Sequence, residues 1–264
     1  MSSSLCSILR SYFVLGRLFC WLLLALPLQI AVKPLSLRNS LRQAVTLIVF
    51  KGTCKALGLK ITYSGMPSLE TPCLFLSNHI SYLDILALGS LLKGSFVAKE
   101  EVRKWPLFGL YASLQGSLFI KRSKSTLLSQ KSLIIQRLQE GQSLILFPEG
   151  TTYSGIHVLP FRSALLECIE HASLISHLKI QPISISYTHL SGLSLGRNKR
   201  LEVSWFGTYS LFPHLLSLLI QGPLTVHITL HSPLSAQDLA CRKKTASLCH
   251  REVLKGIAKI FQSP

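Results

Sequence analysis

The chain has 264 residues, which is enough for one sizeable domain and a short appendage. Its 48% hydrophobic content and mean hydropathy of +0.40 are high for a soluble protein, and only 15% of its residues are charged. The formal net charge of +17 predicts an anionic partner. High apolarity beside this charge favours a membrane surface over nucleic acid, and no base-reading motif is recognised, so we expect no nucleic-acid partner.

Residues 1–56 are predicted to anchor the protein to a lipid bilayer. Residues 12–32 form a mostly apolar run of about 21 residues, long enough to cross a bilayer, although Arg17 and Pro27 interrupt it. Three interpretations stay open: a spanning helix, an interfacial or re-entrant helix, and a cleaved signal peptide. The last lacks a convincing small-residue cleavage site between Ala31 and Ser36.

A basic, amphipathic stretch follows the apolar run, and no acidic residue occurs before Glu70. Its basic residues are Lys33, Arg38, Arg42, Lys51, Lys55 and Lys60. Such a segment is suited to an anionic cytoplasmic leaflet, so we expect a membrane location with the active site on the cytoplasmic face. A solvated basic helix is the alternative.

From residue 57 the pattern changes to short apolar runs that alternate with helical periods, which is typical of an α/β domain over residues 57–264. Buried strands are predicted at residues 72–77, 95–98, 117–121, 143–147, 180–187, 201–206 and 225–231. Helices are predicted near residues 127–138 and from a Ser235-x-x-Asp238 capping pattern onward. The predicted fold is a mixed, largely buried sheet flanked by helices.

The first candidate site is the sequence Asn78-His79-Ile80-Ser81-Tyr82-Leu83-Asp84, between a predicted strand and a predicted helix. Asp84 falls one turn into the helix, from which its carboxylate can point back at the His79 imidazole. Such a carboxylate fixes the histidine tautomer, so that the other ring nitrogen takes a proton from a hydroxyl. A capping box from Ser81 to Asp84 is the alternative and is compatible with catalysis. The chain has only two aspartates, which makes a chance H-x4-D pairing rare.

The second candidate is Phe147-Pro148-Glu149-Gly150-Thr151-Thr152, on the loop after another predicted strand. Open α/β sheets bind ligands at this end of their strands, and Gly150 permits close backbone approach. A plain turn explains Pro-Glu-Gly equally well.

Together the two motifs, in this order, resemble the glycerolipid acyltransferase family, in particular the 1-acylglycerol-3-phosphate acyltransferases. The blocks between and beyond them are also similar to the family: residues 98–109, residues 116–122 (GSLFIKR) and residues 180–183 (IQPI). The resemblance covers roughly residues 57–207.

The resemblance implies that a fatty acyl group moves from acyl-CoA or acyl-acyl carrier protein to the free hydroxyl of a lysolipid, with no resident cofactor and no metal. His79 would be the general base, oriented by Asp84. The implied substrate-binding residues are Arg122, Glu149, Gly150, Thr151 and Lys99. An arginine suits an anionic head group because its planar fork binds phosphate or carboxylate bidentately.

The first candidate acceptor is 1-acylglycerol-3-phosphate, which would give phosphatidic acid. Two departures from the family pattern bear on this choice. Thr152 stands where many phosphatidate-forming members have arginine, which opens the alternative of lyso-ornithine lipid or a lysophospholipid, as does Trp205-Phe206-Gly207 downstream. Lys121 precedes Arg122, where the family often has an acidic or amide residue, and favours an anionic ligand.

Two alternatives of another class remain. Gly192-Leu193-Ser194-Leu195-Gly196 fits the G-x-S-x-G pattern of serine lipases and esterases, and Asp238 and His250 follow in hydrolase order. We expect a strand after Ser194, where the lipase elbow requires a helix. A non-enzymatic membrane scaffold is the second alternative, and the presence of both His79 and Asp84 disfavours it.

Overall fold

The computed structural model describes residues 2–105, 108–121, 127–175, 177–207, 209–235 and 241–262. The helices are α1 (Ser2–Val32), α2 (Ser40–Leu57), α3 (Leu83–Gly89), α4 (Phe108–Leu114), α5 (Leu127–Gln139), α6 (Arg197–Val203), α7 (Leu211–Gln221) and α8 (Arg242–Gln262), with 3₁₀ segments at Glu100–Lys104 and Ser163–Leu174. The strands are β1 (Leu59–Ser64), β2 (Cys73–Ser77), β3 (Ser95–Lys99), β4 (Leu118–Ile120), β5 (Leu144–Leu146), β6 (Lys179–Leu190), β7 (Leu193–Ser194), β8 (Leu224–Leu230) and β9 (Leu234–Ser235).

The described strands form one mixed sheet in the order β1-β8-β6-β2-β5-β3-β4, and β7 and β9 pair with β6. β2 lies at its centre, parallel to both β5 and β6, whereas β6 is antiparallel to β8. All five residues of β2 are buried, as expected for a strand covered on both faces. The structure confirms the predicted α/β fold.

Two apolar cores lie on opposite faces of the sheet. One packs β-strand side chains against α2, α3 and α7, with Phe50, Leu88 and Leu218 among its buried members. The other packs against α5, α8 and the Ser163–Leu174 segment, with Leu138 and Val253 among its members. This two-layered burial fixes the ends of the central strands, from which the candidate loops leave.

The N-terminal helix α1 lies against α2 and α7. The guanidinium of Arg17 donates hydrogen bonds to the Ala56 carbonyl at 2.8 and 3.1 Å, next to the C-terminus of α2, where a cation is favoured. The Trp21 indole N–H donates to Thr53 Oγ1 at 3.2 Å, and the Tyr111 hydroxyl donates to the Leu22 carbonyl. Arg17 therefore has partners within the protein. The predicted division after residue 56 stays a prediction.

Two expectations about local structure are wrong. Residues 201–206 do not form a strand, because α6 occupies Arg197–Val203 and is supported by a Lys199–Glu202 ion pair one turn apart. The last helix begins at Arg242 rather than near Ser235, which pairs with Lys179 in β9. Asp238 lies outside the described residues.

Candidate functional site

The two motif loops meet because their strands are parallel neighbours. β2 ends at Ser77 and β5 ends at Leu146, and their carboxyl ends point to the same edge of the sheet. The His79 imidazole stacks on the Phe147 ring, with centroids 3.9 Å apart and an interplanar angle of 13°. The backbone N–H of Tyr153 donates to the His79 carbonyl at 2.9 Å. A motif pair separated by some seventy residues thus forms one compact site.

The predicted pair of His79 and Asp84 is in contact. His79 Nδ1 lies 2.8 Å from Asp84 Oδ2, and the Asp84 side chain is fully buried, whereas 16% of the His79 side chain is exposed. A carboxylate accepts only, so Nδ1 carries the proton and Nε2 keeps its lone pair. This is the tautomer that a general base requires.

Further hydrogen bonds fix the Asp84 carboxylate. Oδ2 also accepts from the backbone N–H groups of Ile80 at 2.6 Å and Ser81 at 3.0 Å. The bond from the Ser81 N–H is one half of the predicted capping box, whereas the Ser81 hydroxyl has no hydrogen-bond partner among the described residues. Oδ1 accepts from the hydroxyl of Tyr187 at 2.7 Å, and burial together with the charge of Asp84 raises the pKa of Tyr187. Tyr187 stays a donor, so the carboxylate is held from both sides.

Glu149 faces inward. Its Oε1 accepts from the His79 backbone N–H at 2.7 Å, and its Oε2 accepts from the Leu159 N–H at 2.8 Å. Only 2% of the residue is exposed, and burial raises the pKa of its carboxyl to about 7. Glu149 therefore joins the two motif loops, and a substrate contact by its carboxylate stays a prediction.

Two further residues of the motifs set the loop geometry. The Asn78 side chain donates to the Ile185 carbonyl at 3.0 Å and accepts from the Ile185 N–H at 2.8 Å, which ties the end of β2 to β6. Gly150 has a φ of 72°, in the left-handed region that favours glycine. The backbone after Glu149 thereby turns towards the cavity.

A cavity of about 500 Å³ opens at this edge of the sheet, and His79 lines it. Lys99, Gly150 and Thr151 also line it, together with an apolar and aromatic wall that includes Phe96, Phe147, Trp105, Trp205 and Phe206. Arg122 lies outside the described residues. Among the described residues, no group of three or more His, Cys, Asp or Glu side chains could hold a metal ion.

The sequence analysis missed Tyr187 and the aromatic wall. Tyr187 is one apolar residue of a buried strand, and nothing local marks its contact with Asp84, 103 residues earlier in the chain. The Trp105 and Trp205 rings meet edge to face, with centroids 5.7 Å apart. Trp105 and Trp205 each stood in a block that the sequence analysis singled out, but their place in the wall follows from the tertiary structure.

The serine lipase alternative is not supported by the geometry. The structure corrects one expectation, since β7 is followed by α6, so that a strand, Ser194 and a helix do occur in order. However, β7 is a two-residue strand that pairs antiparallel with the end of β6. His250 Nε2 lies 3.4 Å from the Val158 carbonyl, and its ring packs on Phe161 rather than on Ser194.

Comparisons with known proteins identify the family of this chain. The family model described as Acyltransferase matches residues 60–186. A lyso-ornithine lipid O-acyltransferase of Brucella abortus is 33% identical over 93% of this chain and 92% of its own length. One from Rhizobium meliloti is 37% identical over 76% of this chain and 70% of its own length. The chain belongs to the acyltransferase family, and the predicted enzyme class, an O-acyltransferase, is confirmed.

One further sequence relative and one solved structure are also similar to this chain. A 1-acyl-sn-glycerol-3-phosphate acyltransferase of Neisseria gonorrhoeae is 30% identical over 61% of this chain and 63% of its own length. The crystal structure of the 1-acyl-sn-glycerophosphate acyltransferase PlsC from Thermotoga maritima superimposes with a TM-score of 0.68 at 20% identity, covering 99% of this chain and 97% of that one. The second likeness shows that the fold is shared. The relatives named above are acyltransferases of lyso-ornithine lipid and of 1-acyl-sn-glycerol-3-phosphate.

Proposed function

We propose that the protein transfers a fatty acyl group from a thioester donor to the free hydroxyl of a lysolipid, with His79 as general base. The observation that carries this proposal is the 2.8 Å contact between His79 Nδ1 and the buried Asp84 carboxylate beside an apolar cavity. It leaves Nε2 to accept the proton of an acceptor hydroxyl.

The proposed reaction proceeds by direct attack. His79 Nε2 removes the hydroxyl proton while the acceptor oxygen attacks the thioester carbonyl carbon, and Asp84 stabilises the imidazolium that forms. The tetrahedral intermediate then collapses with cleavage of the carbon–sulfur bond. The imidazolium returns its proton to the leaving thiolate, so the enzyme is regenerated without an acyl-enzyme.

For the acceptor, we propose lyso-ornithine lipid ahead of 1-acylglycerol-3-phosphate. This reverses the order that the sequence motifs favoured. The support comes from the relatives with that name, which match 93% and 76% of this chain, and from Thr152 at the position where many phosphatidate-forming members have arginine. The Neisseria relative keeps 1-acylglycerol-3-phosphate as the second candidate.

We propose roles for the remaining predicted site residues, several of which line the cavity. Lys99, Gly150 and Thr151 line it, which supports contact with a head group or with the developing oxyanion. Arg122 is proposed to bind an anionic group of the acceptor through its guanidinium fork. Glu149 is proposed to act by holding the His79 loop. The donor is proposed to be acyl-CoA or acyl-acyl carrier protein.

We also propose that α1 lies in the membrane interface, with the active site on the cytoplasmic face. Residues 5–32 form a helix long enough to cross a membrane, and an 18-residue stretch of it has a mean hydropathy of 1.9, which suggests membrane association. Its apolar side chains are largely exposed, including Phe13 at 71% and Leu24 at 72%. The opposite face, which includes the buried Ser11, Ala25 and Gln29, packs on the domain. Arg17 and Trp21 add hydrogen bonds to α2, and this packing favours a helix lying along the surface.

The test uses the purified full-length protein with acyl-CoA and, separately, acyl-acyl carrier protein. Lyso-ornithine lipid and 1-acylglycerol-3-phosphate are compared as acceptors by mass spectrometry of the acylated product. We expect product with lyso-ornithine lipid at a kcat/KM well above that for the phosphate acceptor. Product from the phosphate acceptor alone would reverse the assignment, and thioester hydrolysis without acylated lipid would reject acyl transfer to a lysolipid.

A further inference from the structure

Aromatic side chains connect the cavity wall to an exposed rim. The Trp105 ring contacts both Trp205 and Phe108 edge to face, at 5.7 and 6.4 Å between centroids. The Trp205 indole N–H donates to the Tyr209 carbonyl at 2.8 Å, and the Tyr209 ring packs on Phe206 at 6.2 Å. These contacts link the wall of the cavity to side chains outside its lining.

Phe108 and Tyr209 of this series are exposed, and so is one apolar side chain near each of them in the chain. Phe108 is 41% exposed and Leu110 is 46% exposed on α4, whereas Tyr209 is 59% exposed and Phe212 is 62% exposed at the start of α7. We call Phe108, Leu110, Tyr209 and Phe212 the aromatic rim. Several exposed apolar side chains on neighbouring elements are typical of an interaction site.

The rim lies on two helices that contact α1. Helix α1 packs along α7 and touches α4, through the Tyr111–Leu22 hydrogen bond and the bond from Arg10 to the Ile220 carbonyl at 2.7 Å. The exposed apolar side chains of α1 and those of the rim therefore belong to neighbouring elements. Tyrosine and tryptophan are also the residues that concentrate at membrane–water interfaces.

The charged residues beside the rim do not provide an electrostatic attraction to an anionic surface. The 3₁₀ segment Glu100–Lys104 beside the rim carries two acidic and two basic residues, and Glu100 pairs with Arg103 at 3.7 Å. A net-neutral segment does not attract an anionic surface as the basic stretch of α2 does. Contact by the rim would depend on apolar burial and would resist salt.

We propose that the aromatic rim is a second lipid-contacting surface, separate from α1, which seats the mouth of the cavity on the bilayer. The inference rests on the proposed membrane association of α1. A lysolipid leaving the bilayer then passes from lipid to the Trp105–Trp205 wall without crossing water. The aromatic rim thereby sets access to membrane-embedded acceptor, whereas His79 performs the chemistry.

The experiment uses the full chain and vesicles of mixed phosphatidylcholine and phosphatidylglycerol. The double variant Phe108→Ser/Phe212→Ser removes the rim. The matched control is Met66→Ser/Leu69→Ser. It removes two apolar side chains that are more exposed than those of the rim, at 76% and 93% exposure, from the loop that leads to the opposite end of β2. We expect the rim variant to bind vesicles about tenfold or more weakly, as loss of partly buried aromatic groups implies, and the control to bind as wild type.

A spectroscopic readout locates the contact. In a Trp21→Phe background the remaining tryptophans are Trp105 and Trp205. Brominated lipid chains should quench their emission with the rim intact and not in the rim variant. Binding by all variants with unquenched emission would overturn the rim proposal alone. If the full chain fails to float with vesicles at all, the proposed membrane association fails, and the rim proposal fails with it.

Discussion

The catalytic edge of the sheet and the N-terminal helix differ in the kind of group that each places in an unfavourable environment. The edge buries charged carboxylates, whereas the helix exposes apolar side chains. At the edge, buried carboxylates are satisfied by hydrogen bonds: Asp84 accepts four, and Glu149 accepts two from backbone N–H groups. In α1 the backbone is satisfied within the helix, and apolar side chains such as Phe13 are exposed. The first region orders polar groups in a dry interior, and the second presents apolar surface to its surroundings.

The difference teaches how each region responds to change. Removing one partner of a buried carboxylate leaves polar groups unsatisfied, which costs more than an average hydrogen bond is worth. Changing one exposed apolar side chain of α1 leaves the hydrogen bonds of the helix intact. It alters only the contact that this side chain makes with the surroundings of the protein. We therefore expect mutations at the catalytic edge to affect both rate and stability, and mutations in α1 to affect access to membrane-bound acceptor.

The largest effect is expected for His79→Ala. Loss of a general base should lower kcat by about 10²–10⁴, and the free energy of unfolding should also fall because the buried Asp84 carboxylate loses one of its four hydrogen-bond partners. The control is His189→Ala, an exposed histidine of β6 whose ring contacts Thr188. Near wild-type turnover by the His79 variant, measured as acylated lipid per enzyme, would reject the mechanism.

The next comparison separates the role of Asp84, which contacts His79, from that of Tyr187, which contacts Asp84. Asp84→Asn should lower both kcat and the free energy of unfolding, since an amide offers one acceptor oxygen where the carboxylate accepts four hydrogen bonds. Tyr187→Phe removes one of these bonds, so we expect a loss of about 1.5–3 kcal/mol in unfolding free energy and a smaller loss of rate. Equal losses of kcat in the two variants would contradict the role of Asp84 in orienting His79.

Glu149 predicts a pH dependence of stability. Burial raises the pKa of its carboxyl from 4.5 to about 7, so the folded state binds more protons than the unfolded state between those values. By linkage, its contribution to the free energy of unfolding falls as pH rises from 4.5 through about 7. Denaturant unfolding of wild type and Glu149→Gln across this window should show the fall in wild type and a flatter profile in the variant. Parallel profiles for the two proteins would refute the assignment of this pH dependence to the Glu149 carboxyl.

The smallest effect is expected where α1 meets α2. A Cβ atom at Gly52 would collide with the Trp21 ring, whereas one at Gly16 in α1 meets nothing within 4 Å. Gly52→Leu should therefore loosen α1 from α2, and Gly16→Leu should not. We expect faster limited proteolysis of the N-terminal segment and a severalfold higher KM for bilayer-embedded acceptor in the Gly52 variant alone, with unchanged activity on a monodisperse acceptor. Identical behaviour of the two variants would show that this packing does not matter.

The sequence by itself determined the alternation of strands and helices, the exposed apolar segment and the two motif loops, because periodicity and strand-end loops are local properties. The one strand prediction that failed, at residues 201–206, rested on scattered apolar residues in a segment that forms α6. The predicted closeness of His79 and Asp84 follows from their separation of five residues.

Only the tertiary structure decided which polar groups meet across long distances in the chain. The sheet order places β2 between β5 and β6, and this brings Glu149 to the His79 backbone, 70 residues away, and Tyr187 to Asp84, 103 residues away. It likewise turns Arg17 of α1 onto the end of α2. A buried carboxylate or an arginine in an apolar helix needs such partners, and their identity depends on strand neighbours that no local pattern encodes.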